Sequence, residues 1–145
     1  TGEEISNPSV NIIFDHLNFL PVYENDLAAA EKEIVIVSPF ATKRRLQQAM
    51  PLLNKVLQKK IPVTAFTRPV GDYKDGAGLQ PLFAQMQSAG MAMVFKSGIH
   101  QKFAIMDRRI VWYGSVNLLG YGRSEETLMR MESASIAGNL LKSLE

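Results

Sequence analysis

The stretch IHQKFAIMDRRIVWYGSVN, residues 99–117, carries His100, Lys102, Ser115 and Asn117 at the outer ends of two apolar runs. Lys102, Ser115 and Asn117 are donors suited to the non-bridging oxygens of a phosphate. Gly114, just before the serine, would let a backbone N–H approach such a group closely. An imidazole works as nucleophile or as general acid and base near neutral pH. The chain has two histidines and no cysteine, so these residues do not make up a transition-metal ligand set. No pair of carboxylates for Mg²⁺ stands beside them either. Phosphoryl transfer without a metal or other cofactor is the chemistry that uses every one of these groups.

Two strands and a turn must position them. Side chains two apart on a strand share a face, so His100 and Lys102 point the same way. A two-residue turn at Arg108-Arg109 would set Lys102 across from Ser115 and His100 across from Asn117, on one patch. A shift of one residue in register would undo that patch. By the same parity Asp107 faces the other way. Trp112 lies on the face opposite Lys102, in the core, and Tyr113 shares the face of Lys102.

The rest of the chain alternates strand and helix patterns. Residues 1–9 read as a loose lead-in. Asn7-Pro8-Ser9 starts a helix carrying Val10, Ile13, Phe14 and Leu17, which Pro21 interrupts, and a second helix covers about 24–32. IVIVSPF (34–40) is a buried strand ended by proline. Residues 42–60 are helical, kinked or divided at Pro51. A strand at 61–67, a polar glycine-rich loop at 68–78, a helix at about 79–88 and a strand at 91–96 follow. The hairpin spans 101–115, and a strand near 128–132 and a helix from about 136 close the chain. This order predicts an α/β/α sandwich with a mixed, mostly parallel sheet.

With 145 residues the chain fits one domain, and its opening Thr1-Gly2-Glu3 suggests a fragment of a longer protein. The absence of cysteine fits a reducing, cytoplasmic setting. No signal-peptide pattern and no apolar run near 20 residues is present, so no membrane partner is expected. A net charge of +2, from 16 basic and 14 acidic residues, permits a nucleic-acid partner without arguing for one. That case rests on local clusters: Lys43-Arg44-Arg45, Lys59-Lys60 and Arg108-Arg109.

The spacing His100-x-Lys102-x4-Asp107-x6-Gly114-Ser115-x-Asn117 resembles the HKD motif of the phospholipase D superfamily, whose members include metal-independent nucleases, phospholipases and phosphatidyltransferases. Six specified positions over 18 residues make the signal specific. The wider likeness runs from residue 23 to 133. The tail WYGSVNLL…EETLMR is similar to single-motif domains appended to bacterial DNA helicases. The resemblance implies a phospholipase D-like fold in which His100 attacks phosphorus to form a phosphohistidine. Lys102, Asn117 and Ser115 would hold the phosphoryl oxygens, Asp107 would support the hairpin, and Glu126 would orient a catalytic imidazole. Glu125, its neighbour, is the competing choice. The family uses two such motifs and this chain has one. Its other histidine, His16, is followed two residues on by Asn18 rather than lysine, and reads as a structural helix residue. A second copy of the chain, in a two-fold homodimer with the two His100 residues at the axis, would then complete the site. Another part of the parent protein, such as a helicase region, is the alternative source.

Other candidates are weaker. Arg68, Tyr73 and Lys74 follow a strand end, where α/β sheets bind ligands, or belong to an ordinary solvated loop. Ser38 either lines the cleft or, like Thr42, caps the next helix. The expected activity is phosphodiester hydrolysis, with nucleic acid, DNA first, as substrate. The rival functions are a non-catalytic nucleic-acid-binding or dimerisation module of a helicase and a phospholipid phosphodiesterase.

Overall fold

The computed structural model describes residues 12–120 and 125–145. Its strands are β1 (Ile12–Asp15), β2 (Ile34–Val37), β3 (Val63–Thr67), β4 (Ala92–Phe95), β5 (Phe103–Met106), β6 (Ile110–Gly114) and β7 (Thr127–Glu132). Its helices are α1 (Leu20–Ala29), α2 (Lys43–Gln58), α3 (Gln80–Ser88) and α4 (Ala134–Lys142), and two 3₁₀ turns lie between β3 and α3. The strands form one sheet in the order β1-β7-β6-β5-β2-β3-β4.

Burial follows from the sequence pattern. β2 and β5 are continuous apolar runs and are buried along their whole length, as strands with both faces covered must be. One face packs through Ile34, Ile36, Ala104, Met106 and Trp112 against Leu27, Leu46, Leu53 and Phe83 of α1, α2 and α3. The other face packs through Val35, Val37, Phe103, Ile105 and Val111 against Ala137 of α4. The expected α/β/α layering and mixed sheet are therefore present. The pairing leans further toward antiparallel than expected, because only β2–β3 and β3–β4 run parallel. The hairpin, β7 and β1 each join the sheet antiparallel.

Two local expectations are corrected. Residues 12–15 are an edge strand paired with β7, where helical spacing predicted a helix. Phe14 keeps its apolar role, its ring 5.1 Å from that of Trp112. The proposed start of that helix, at Asn7-Pro8-Ser9, and the lead-in lie outside the described residues. Pro21 interrupts nothing. It occupies the first turn of α1, where a missing N–H is harmless. Likewise Pro51 sits inside α2, which runs unbroken over 16 residues.

The hairpin register also differs. Met106 pairs with Ile110 and Phe103 with Tyr113, so the turn holds three residues, 107–109, rather than two. Asp107 and Arg108 take left-handed backbone angles, φ 58° and 54°. The Asp107 carboxylate explains why. It accepts the backbone N–H groups of Glu31, Lys32 and Glu33 at 2.7–3.1 Å, which draws Asp107 out of the strand and into the turn.

Candidate phosphoryl-transfer site

One edge of the sheet collects the candidate residues. Val37, Phe103 and Tyr113 lie side by side across β2, β5 and β6, and Gly114 pairs with Leu128 of β7. His100 and Lys102 immediately precede β5, and Ser115 and Asn117 immediately follow β6. Ser38 follows β2, Arg68 follows β3 and Glu126 precedes β7, all at that same edge. Asp107 is at the opposite end of the hairpin and braces it, as expected. Partial burial raises its pKa, but the three backbone N–H donors and the nearby Arg109 charge outweigh that. They hold it below the usual carboxylate range.

The three-residue turn removes the cross-strand pairing expected of the motif. Lys102 is opposite Gly114, whose N–H donates to the Lys102 carbonyl at 3.3 Å. Trp112 is fully buried, as expected, but pairs with Ala104 and so lies on the face that Lys102 has by parity. Tyr113 pairs with Phe103 on the other face, their rings stacked.

Ser115 and Asn117 are held by loop contacts instead. The Ser115 hydroxyl accepts the Thr127 N–H at 3.0 Å, and Asn117 Oδ1 accepts the Phe40 N–H at 3.2 Å. Gly114 serves the fold rather than an anion: a Cβ there would stand 2.1 Å from the Thr127 carbonyl oxygen. His100 and Ser115 are exposed, while Lys102 and Asn117 are half-buried.

Among the described residues the His100 ring has one hydrogen bond, its Nδ1 accepting from Arg68 Nη2 at 2.9 Å. Arg68 also donates through Nε to the Ile99 carbonyl at 3.0 Å and lies over the Phe40 ring at 5.1 Å. Residue types alone make Arg68 a candidate contact, but its bond to His100 spans 32 positions and has no sequence signal. Glu126 does not meet His100. Its backbone N–H points to His16 Nδ1 at 3.4 Å, and its Oε2 is buried without a hydrogen-bond partner among the described residues. His16 lies in the turn between β1 and α1, not in a helix.

Ser38 and Tyr73 turn inward. Ser38 is fully buried, donates to the Phe40 carbonyl at 2.6 Å and accepts the Leu119 N–H at 3.1 Å, so it braces the loop beneath Asn117. Thr42, not Ser38, caps α2, accepting the Arg45 N–H. The Tyr73 hydroxyl contacts Thr67 Oγ1 at 2.6 Å and accepts the Ala41 N–H at 3.0 Å. Burial raises its pKa, against the lowering effect of those bonds. Lys74 stays exposed.

The basic clusters divide too. Arg45 is buried and donates to the Gly120 carbonyl. Arg108 and Arg109 pair with Glu33 and Glu132 at the far end of the hairpin.

His100 lines a cleft of about 290 Å³ with Lys96, Gln101 and Ser143. A larger cleft of about 730 Å³ runs along α4 between Val35, Phe66 and Leu141 and holds none of His100, Lys102, Ser115 or Asn117. Among the described residues, no three His, Asp or Glu side chains are grouped to hold a metal ion. No helix among them is long and apolar enough to cross a membrane.

The fold has counterparts. NucT from Helicobacter pylori superposes with a TM-score of 0.73 at 15% identity, over 92% of this chain and 91% of that one. Nuc from Salmonella typhimurium, a phospholipase D family member, gives 0.70 at 15% identity, over 92% and 90%. TrmBL2, an archaeal chromatin protein, gives 0.64 at 11% identity, over 97% of this chain and 52% of that one. No curated protein matches by sequence. The family described as cardiolipin synthase, PLD-like domain, matches residues 23–145, a span that contains the whole motif. With that match and this sheet, the chain belongs to the phospholipase D-like family.

Proposed function

We propose that the chain is a metal-independent phosphodiesterase acting on nucleic acid, DNA in the first place, in a cytoplasmic setting. The observation that carries this reading is the gathering of His100, Lys102, Ser115 and Asn117 at one sheet edge of a phospholipase D-like chain. His100 attacks phosphorus, forming a P–N bond as the P–O bond to the leaving oxygen breaks, and a second imidazole gives that oxygen its proton. Water, deprotonated by the same second imidazole, then cleaves the phosphohistidine. Lys102, Asn117 and the Ser115 hydroxyl neutralise and orient the phosphoryl oxygens. The likeness in fold to TrmBL2, a chromatin protein with a described mode of DNA binding, supports nucleic acid as the substrate class.

The second imidazole comes from the His100 of another copy. An exposed apolar row supports such a dimer: Ile13, Met129 and Tyr113 pair in line across β1, β7 and β6, 68%, 41% and 41% exposed. A helicase region of the parent chain is the alternative partner.

Cleavage of labelled single-stranded and duplex DNA in EDTA, wild type beside His100→Ala, tests the reading. Metal-free cleavage should disappear in the variant. A folded wild type that binds DNA without cutting it would instead favour a binding module, the reading to which the likeness to a DNA-binding chromatin protein points. Turnover of phospholipid vesicles but not DNA would favour the lipid-directed reading.

A further inference from the structure

Arg68 contacts His100 in a way that fixes where the imidazole proton sits. A guanidinium has only donors and stays charged. Since Nη2 of Arg68 lies 2.9 Å from Nδ1 of His100, Nδ1 must be the acceptor. A neutral imidazole then carries its proton on Nε2, the other ring nitrogen. In that form the ring can give a proton through Nε2 but has no lone pair there with which to attack. The guanidinium is held for this task by the Ile99 carbonyl at Nε and by the Phe40 ring beneath its plane.

We propose that Arg68 is a positioning residue that keeps His100 in the Nε2–H tautomer until an anion draws the guanidinium away. The consequence for turnover rests on the phosphoryl-transfer reading above, but the tautomer does not. A phosphodiester arriving beside His100 accepts from Arg68 Nη2, the arginine leaves Nδ1, and the ring exchanges its proton. Nε2 gives one proton to water and Nδ1 takes one from water, so the ring stays neutral and its outer nitrogen gains a lone pair. The attacking His100 is thereby readied only where a phosphate is present. The His100 of the other copy, still held by its own Arg68, keeps the proton that the leaving oxygen needs.

Nitrogen-15 NMR of histidine-labelled protein, in the intact chain at about pH 8 where a free imidazole is neutral, tests this. With two histidines, His16→Gln assigns the signals. In the wild type His100 should show an unprotonated Nδ1 and a protonated Nε2, with widely separated shifts. Arg68→Ala should lose more than half of the excess in that separation over free histidine, and Arg68→Lys, which keeps a donor, should retain most of it. Millimolar inorganic phosphate should move the wild type toward the alanine variant and leave that variant unchanged. A protonated Nδ1 in the wild type, or an alanine variant with wild-type shifts, would overturn the proposal. An unmoved wild type in phosphate would overturn its release step. If Arg68→Ala does not fold, the lysine variant and the phosphate titration still decide. DNA cleavage with the wrong tautomer defeats this inference alone; the expected tautomer without cleavage defeats the nuclease reading alone.

Discussion

Gly114 has an unusual constraint for a residue of the candidate site. Its missing side chain is required by the neighbouring strand, since a Cβ would meet the Thr127 carbonyl oxygen at 2.1 Å and the Leu128 Cα at 2.8 Å. Backbone atoms cannot rotate aside as a flexible side chain can. Gly114→Ala is therefore expected to cost about 1–3 kcal/mol, as overpacking does. Thermal unfolding should record a drop of about 2–4 °C for each kcal/mol in a chain of this size. An unchanged Tm would mean that β6 and β7 can part without loss. Residue types mark His100, Lys102, Ser115 and Asn117 as candidates, and all four stand at one end of the sheet. Glu126 was not legible in the same way. Its backbone N–H meets His16, a contact made, like that of Arg68, by segments that meet only in three dimensions.

At the scale of the element, the hairpin turn decides more than its sequence suggests. Arg108-Arg109 reads as a two-residue turn because nothing local reveals that Asp107 is claimed by a loop about 75 positions away. The buried runs 34–37 and 103–106 were legible for the opposite reason: continuous apolar character reports burial on both faces directly. β1 was misread because apolar residues at 10, 13, 14 and 17 suit a helix, while its actual partner, β7, lies more than 110 positions on. The turn carries a pH dependence with a definite sign. The folded pKa of Asp107 is depressed, so its stabilisation is present in full above the unfolded carboxylate pKa and is lost as pH falls through the folded value. Urea titrations from neutral to acid pH should show Asp107→Asn less stable than wild type at neutrality, with the gap closing as the pH drops. A constant gap would assign the loss to packing rather than to charge.

The whole molecule carries one copy of the motif, whereas the proposed reaction uses two imidazoles from two such motifs. If two copies complete each other, a subunit lacking His100 should poison its partner. Wild type equilibrated with a ninefold excess of His100→Ala enters mixed dimers almost entirely. Activity per wild-type subunit should then fall about tenfold if both imidazoles act in one reaction. Activity proportional to the wild-type fraction would mean that each chain works alone, and sedimentation at matched concentrations would show whether the dimer exists at all.

The candidate groups project from the loops where strands stop, whereas the central strands β2 and β5 are buried between helices on both faces. Shape and chemistry are thus written in separate parts of the chain. Substitutions at the loop ends can retune or silence the reaction while the sheet continues to fold, and repacking of the sheet can proceed while the loop ends are kept. An architecture divided in this way lets descendants change the chemistry at the loop ends and keep the surface for another trade.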